Sequence, residues 1–257
     1  MESQFGKLHY VIPQFFVLNQ ICYEILQERI WILENFAIII DESKGWKKLN
    51  FMPAKYYLTK DRKIMKVLLI NGSRREHGCT YTALQEIAKV LKAEGIDSEI
   101  FFVGNDAVNG NIDQIVDDAA LKAQDCQGLI VGSPVYYASP SGEIIAFLDR
   151  LFTVAGADLR HKPAAAITSA RRAGTTVCID VINKYFAYNQ MPIVSSNYWN
   201  MVHGNTPDEV LKDEEGVQIM QVLGQNMAWL LKCIESGKSS GIKVPQTPDK
   251  IKTNFVR

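Results

Sequence analysis

Lys66-Val67-Leu68-Leu69-Ile70-Asn71-Gly72-Ser73-Arg74-Arg75-Glu76-His77-Gly78-Cys79-Thr80 runs from an apolar, β-branched segment through a polar loop into a helical pattern. A strand, a cradle of Gly, hydroxyl and Arg groups, and a helix N-terminus in series bind phosphate through backbone N–H groups without a metal. A dinucleotide fingerprint needs G-x-G-x-x-G, and Gly72-Ser73-Arg74 breaks it. A P-loop needs G-x-x-x-x-G-K-[ST]; here Gly78 comes one residue late and Cys79 stands in the Lys position. A receiver-type phosphorylation site wants acidic groups at the strand end, where Asn71 is neutral. What remains is a set of hydroxyls, Ser73, Thr80 and Thr82, with Arg75 for charge, which suits a phosphate monoester. An ordinary βα turn with solvated arginines is the alternative for this loop alone.

From Lys66 onward, strand and helix patterns alternate. Lys66–Asn71 reads as the first strand. Tyr81–Ala93 reads as a helix, with Leu84, Ile87, Ala88 and Leu91 on one face, a capping box at Thr82 and Gln85, and Gly95 as its stop. Ser98–Val103 follows as a strand and Ile112–Ala123 as a helix. Gly128–Gly132 is apolar throughout, as a strand buried on both faces should be. Ser139-Pro140 is expected to open a helix carrying Ile144, Phe147, Leu148 and Leu151 on one face. Ala164–Thr168, Thr176–Tyr188 and Pro192–Ser196 read as strand, helix and fifth strand, and Val217–Cys233 as a closing helix. Repeated βα alternation predicts an α/β fold with a parallel sheet covered on both faces.

A second loop, Gly132-Ser133-Pro134-Val135-Tyr136-Tyr137-Ala138-Ser139-Pro140-Ser141-Gly142, follows the third strand. In open α/β sheets, ligands sit beyond the carboxyl ends of the strands, where the strand order reverses. In the order 2-1-3-4-5 that place lies between the first and third strands, which carry these two loops. A phosphate cradle facing a platform of Pro and Tyr fits a ligand with a phosphate and a flat aromatic ring, and FMN is the candidate. Successive side chains point different ways, so at most one of Tyr136 and Tyr137 is expected to touch a flavin. Core or interface packing is the other reading of the pair.

These motifs carry a resemblance. Lys66 to about Cys233 resembles the NADPH-dependent FMN reductase group of the flavodoxin-like superfamily, nearest its iron–sulfur flavoproteins and their cluster-free relatives. Gly72, Ser73, Arg75, Gly78 and Thr80 match G-S-x-R-x-x-G-x-T, with Cys79 where Asn is usual. Gly132, Ser133, Pro134 and Tyr136 match G-S-P-x-Y, Phe147–Arg150 match Phe-Leu-Asp-Arg, and Glu215-Gly216, Leu223-Gly224 and Met227–Trp229 match a late pattern.

The resemblance implies a flavodoxin-like three-layer sandwich over residues 65–236, with a five-stranded parallel sheet in order 2-1-3-4-5. It implies that FMN is held by Ser73, Arg75, Cys79, Thr80 and Tyr81 in the first loop and by Pro134, Val135, Tyr136 and Tyr137 in the second. Ser169 and Gly174 would edge the ring from a third loop after the fourth strand. It also implies NADPH or NADH as co-substrate. A hydride would pass to flavin N5 and electrons then to a small acceptor: free flavin, a quinone, a nitro or azo compound, or a ferric complex. No side chain is expected to be catalytic. Arg171 or Arg172 could hold a nicotinamide cofactor's phosphate, or simply be solvated. Tyr198-Trp199-Asn200 could line the substrate side or a dimer contact. The cysteine cluster of iron–sulfur flavoproteins would fall near residues 104–116, which contain no Cys, so neither a cluster nor another metal is expected. A homodimer is expected, because the helix after the second loop is rich in Ile, Phe and Leu. An electron carrier without nicotinamide activity, or an FMN-binding regulatory protein, are the alternatives on the same fold.

The rest of the chain sets limits. Its 257 residues balance 28 Lys and Arg against 28 Asp and Glu, so no basic excess argues for a nucleic-acid partner. The five cysteines (Cys22, Cys79, Cys126, Cys178, Cys233) lie far apart, a pattern that suits a reducing cytoplasm and no zinc framework. Residues 11–40 are apolar, but Glu24, Glu28, Arg29 and Glu34 interrupt them, so no membrane span is expected. Met1-Glu2-Ser3-Gln4 lacks a basic start, so no signal peptide is expected either. Residues 1–64 stand outside the βα rhythm, with a candidate amphipathic helix at Phe16–Asn35 and an aromatic, basic stretch at Gly45–Asp61. This extension is either an accessory element or upstream sequence from an early start codon. Residues 237–257 read as a poorly ordered tail.

Overall fold

A computed structural model describes residues 64–249, 251–253 and 255, together with Phe36–Ala37 and Met52–Pro53. The chain divides into two compact units, Met1–Lys63 and Ile64–Arg257. In the first, Phe36–Ala37 pairs antiparallel with Met52–Pro53. The helix expected at Phe16–Asn35 lies outside the described residues, as does Gly45–Asp61 apart from that dipeptide.

The second unit carries the alternation. Its elements are β1 (Lys66–Asn71), α1 (Cys79–Ala93), β2 (Asp97–Phe102), α2 (Ile112–Asp125), β3 (Gly128–Tyr136), α3 (Gly142–Leu159), β4 (Ala164–Ala170), α4 (Thr175–Tyr188), β5 (Met201–His203), α5 (Pro207–Lys212) and α6 (Glu214–Ser239). The five strands run parallel in the order β2-β1-β3-β4-β5. The period of two splits the apolar runs between the two faces. Leu68, Ile70, Leu129 and Val131 pack under α2, α3 and α4 against Ala119, Phe147, Leu151 and Ile182. Val67, Leu69, Ile130 and Ile167 pack under α1 and α6 against Leu84, Ile87, Leu223 and Met227. Burial on both faces is why β1 and β3 read as unbroken apolar runs. Each fully buried Leu or Ile contributes about 1.5–3 kcal/mol, so a charge at Leu69 would break the sheet's centre.

Several boundaries differ from the sequence reading. Helix α1 starts at Cys79, two residues early, with Gly78 as its N-cap. The capping box does not form: the Thr82 hydroxyl donates to the Gly78 carbonyl at 3.2 Å and the Gln85 amide to the Tyr81 hydroxyl at 2.7 Å. Gly95 does end the helix, at φ +75°, as the left-handed stop requires. Ser139-Pro140 opens no helix. It forms a short return strand against Val135–Tyr136, and α3 begins at Gly142 behind the N-cap Ser141. Ser141 wins the cap because its hydroxyl accepts the Ile144 N–H at 3.3 Å, which Pro140 cannot match.

The expected fifth strand at Pro192–Ser196 contributes only one bridge, Ile193 to Ala164. The chain then leaves the sheet and returns as Met201–His203, paired with Thr168–Ala170. Helix α5 was not anticipated, and α6 runs to Ser239, past the expected Cys233. The segment beyond it keeps contacts with the fold: Ile242 N–H bonds to the Gly237 carbonyl at 2.9 Å, and Thr247 Oγ1 to Gln190 Oε1 at 3.0 Å. Among the described residues no helix is long and apolar enough to cross a membrane.

Candidate functional site

The loops at the carboxyl ends of β1, β3 and β4 meet over the point where the strand order reverses. The first is organised by Asn71, the last and fully buried residue of β1. Its Oδ1 accepts the Ser73 N–H at 3.2 Å and its Nδ2 donates to the Glu76 carbonyl at 2.8 Å. Ser73 Oγ in turn accepts the Arg75 N–H at 3.1 Å. These local turns swing the chain into α1, whose first-turn amides at Cys79, Thr80 and Tyr81 have no intrahelical acceptor. Arg74 is anchored, its Nε 2.9 Å from Asn105 Oδ1 and 3.3 Å from Glu143 Oε1. Arg75 is exposed and makes no ion pair among the described residues.

The second loop is locked to the first. Gly72 N–H donates to the Gly132 carbonyl at 2.8 Å, and Ser141 Oγ donates to the Gly72 carbonyl at 2.9 Å. Ser133 Oγ accepts the Ser141 N–H at 3.0 Å and donates to the Pro134 carbonyl at 2.8 Å. The predicted Pro134, Val135 and Tyr136 lie inside β3, whose end forms a tight hairpin with Ser139-Pro140. Tyr137 and Ala138 turn it at φ +52° and +55°, a left-handed pair that usually calls for Asn and Gly. Tyr137 is 103% exposed at the tip and Tyr136 46%.

The third loop closes on this hairpin. Gly174, at φ +93°, caps α4, and a Cβ there would sit 2.8 Å from Ala138 Cα. Ser169 is buried and lies with its hydroxyl 2.8 Å from Thr80 Oγ1. Thr80 is therefore turned into the sheet, its methyl group over Gly132, where a Cβ would meet it at 2.7 Å. Cys79 points the other way, its thiol 3.6 Å from the Gly204 carbonyl beyond β5. Burial pushes the Cys79 pKa up, against the lowering effects of a backbone hydrogen bond and Arg75. Cys178, on the buried face of α4, is pushed up to about 12 by burial, with a hydrogen bond to Ser133 opposing.

The residues fit an FMN phosphate, though not mainly through hydroxyls. Thr82 donates its hydroxyl to Gly78 and Thr80 shares its own with Ser169, which leaves the α1 amides, the Ser73 hydroxyl and Arg75 as the donors free of any side-chain partner. Of the eleven predicted site residues, Ser73, Arg75, Tyr137 and Gly174 lie on the loops, Cys79, Thr80 and Tyr81 in the first turn of α1, and Pro134, Val135, Tyr136 and Ser169 at the carboxyl ends of β3 and β4. Arg171 and Arg172 sit on the exposed outer turn of the third loop, where His203 Nε2 lies 3.0 Å from the Arg172 carbonyl. The framework residues Asn71, Ser133 and Ser141 are not among the residues expected to hold FMN, although Ser133 belongs to the G-S-P-x-Y match. An Asn closing a buried strand before Gly-Ser is an Asx-turn signal that would have found the first. A cleft of about 520 Å³ lies elsewhere: an open groove between α1 and β2 lined by Gln85, Lys89 and Lys92. It has no converging loops or helix N-terminus, so the chemistry is assigned to the strand ends.

A parallel sheet in this order, with its ligand loops at the β1–β3 switch point, is flavodoxin-like. The NADPH-dependent FMN reductase family profile matches residues 65–206, more than half of the chain, and the chain belongs to that family. It is thereby an FMN-dependent oxidoreductase by family. An iron–sulfur flavoprotein of Methanocaldococcus jannaschii is 28% identical over 192 residues, covering 66% of this chain and 100% of the relative. Two solved structures share the fold. The flavodoxin, WrbA-like protein from Agrobacterium tumefaciens aligns with a TM-score of 0.51 at 11% identity, over 66% of this chain and 99% of its own. FerB, a flavoenzyme NAD(P)H:(acceptor) oxidoreductase from Paracoccus denitrificans, aligns with a TM-score of 0.51 at 15% identity, over 66% and 98%.

Proposed function

We propose that this chain holds FMN across the β1 and β3 loops and uses NADPH or NADH to reduce a small electron acceptor. The observation that carries the reading is the lock between the loops, Gly72 N–H to Gly132 carbonyl with Ser141 on the Gly72 carbonyl. It fixes a phosphate cradle and an aromatic-bearing hairpin as one rigid unit. Bound FMN would supply hydride acceptance and electron release. The protein's part is placement. The amides of Cys79, Thr80 and Tyr81, with Ser73 and Arg75, take the phosphate. Pro134–Tyr137, Ser169 and Gly174 flank the ring, where backbone N–H groups of the third loop favour the side on which negative charge develops. The name of FerB, which describes NAD(P)H:acceptor chemistry, supports nicotinamide as donor.

The reading includes no iron–sulfur cluster, since residues 104–116 lack cysteine. It places the protein in a reducing compartment, on its scattered thiols. It also includes a homodimer, on altered grounds. Ile144, Phe147, Leu148 and Leu151 are consumed by the subunit's own core, so the contact falls to the exposed Tyr137, Tyr198 and Trp199.

The test is anaerobic stopped-flow mixing of FMN-reconstituted protein with NADPH or NADH. Loss of flavin absorbance is expected with at least one. FMN uptake without bleaching by either would leave an electron carrier, and no FMN uptake would overturn the site itself. A monomeric mass by light scattering in a fully active preparation would end the dimer proposal.

A further inference from the structure

At the opposite end of the sheet, below the first residues of β1, β3 and β4, a cavity of about 210 Å³ has two unlike walls. One is apolar: Met65, Leu231 and Ile234, with Val244 from the segment after α6. The other is basic: Arg160, His161 and Lys162 from the α3–β4 turn, while Lys238 lies one turn past Ile234 on the α6 side. Glu235 is the single carboxylate among the lining residues.

The basic wall keeps unfilled hydrogen-bonding capacity. His161 is held at φ +63°, and its Nε2 is buried with no hydrogen-bond partner. Lys162 Nζ donates to the Ala123 and Gln124 carbonyls at 2.7 and 3.2 Å, which leaves its third N–H. Burial holds the Lys162 pKa below the usual lysine value, against the raising effects of Cys126, Asp158 and Asp125, and Lys238 adds like-charge repulsion. Arg160 and Lys238 form no salt bridge among the described residues. Basic groups at the C-termini of α2 and α3 are favoured by the helix dipoles, which accounts for Lys162. It does not account for an orphaned imidazole nitrogen, nor for cations gathered opposite an aliphatic wall.

We propose that this cavity binds a small aliphatic carboxylate. The head group would lie on Arg160, His161 and the free Lys162 N–H, and the chain along Leu231, Ile234 and Val244. The volume is below the roughly 300 Å³ of typical drug-sized pockets, which limits the tail to a few carbons. Strands of six or seven residues separate the cavity from the flavin loops by roughly 20 Å at ~3.3 Å per residue. A ligand here is therefore not the electron acceptor but occupies a separate site.

The test is isothermal titration calorimetry of the full 257-residue chain with sodium hexanoate at constant ionic strength, with inorganic phosphate as the control anion. Saturable one-to-one binding of hexanoate is expected, at least tenfold tighter than phosphate. His161→Gly suits the left-handed backbone, so it should melt no lower than wild type while weakening hexanoate at least tenfold. Arg160→Ala should weaken it similarly, and neither change should alter FMN affinity. Absence of saturable hexanoate binding, phosphate binding as tightly as hexanoate, or unchanged affinity in both variants would each overturn the proposal.

Discussion

Gly174→Ala, set beside Gly95→Ala, measures how tightly the third loop is pressed onto the hairpin. Both glycines have positive φ, +93° and +75°. A Cβ at Gly95 would meet nothing within 4 Å, whereas one at Gly174 would fall 2.8 Å from Ala138 Cα and 3.0 Å from Val135 Cγ1. Forcing an L-residue into the left-handed region costs about 1–2 kcal/mol. The smaller conformational freedom of the unfolded alanine chain offsets about 0.4–1 kcal/mol of this. Gly95→Ala should therefore lose no more than about 1.5 kcal/mol. Gly174→Ala bears the same loss plus about 1–3 kcal/mol of overpacking, because Ala138 Cα is backbone and cannot rotate away. For a unit of 194 residues, Ile64–Arg257, the unfolding entropy is roughly 0.4 kcal/mol/K, so the extra loss separates the two melting temperatures by roughly 3–7 °C. Urea unfolding followed by circular dichroism gives the free energies, and a fluorescence titration gives FMN affinity. The hairpin must shift in Gly174→Ala, so its FMN affinity should fall, about tenfold for each 1.4 kcal/mol transmitted, while Gly95→Ala binds normally. Equal stability losses would refute the close contact. A destabilised Gly174→Ala with unchanged FMN affinity would refute the hairpin as part of the flavin site.

Asn71→Ala removes both bonds that shape the first loop and leaves buried groups unpaired, so it should cost about 1–3 kcal/mol and weaken FMN at least tenfold. Normal FMN binding in the folded variant would show that the loop shapes itself. Ser141→Ala removes the α3 cap and the tie to Gly72, and chemical denaturation should show a loss of about 1–2 kcal/mol. Cys178 is raised from 9.0 to about 12 in the fold, so the unfolded chain loses that proton first as pH rises. Its contribution is full below about pH 9 and falls away between about pH 9 and 12, by at most about 1.4 kcal/mol per pH unit. Cys178→Ala should flatten the alkaline limb of a stability–pH curve, and an unchanged slope would contradict the burial argument.

The two central strands were legible in the sequence because burial on both faces writes itself as an unbroken apolar run. The fifth was not. Pro192–Ser196 carries strand-like residues, but Met201-Val202-His203 takes the ladder, since its pairing with β4 is decided by tertiary contacts rather than by a local pattern. The ligand loops stood out through Gly, Ser and Pro spacing. The direction of each hydroxyl did not: Thr80 looks like a donor to a ligand, yet its hydroxyl meets Ser169, 89 positions away, and no local rule foretells such a pair. Ser139-Pro140 illustrates a third limit. Pro near a helix start and Pro in a hairpin's return strand look alike until the positive φ angles of Tyr137 and Ala138 are known.

The broken fifth strand also bears on solubility. The free border of any sheet can template the strand of another molecule, and long flat borders are the dangerous ones. Here one border is three residues long, Met201–His203, preceded by a stretch that leaves the plane. The other, β2, opens with Asp97-Ser98-Glu99, and Glu99 is pinned by Lys66 and Lys122, whose hydrogen bonds hold its carboxyl below the usual carboxylate range. Neither border of this five-stranded sheet invites a sixth strand from a neighbour, so the sheet itself offers no ready route to continuous cross-molecule pairing.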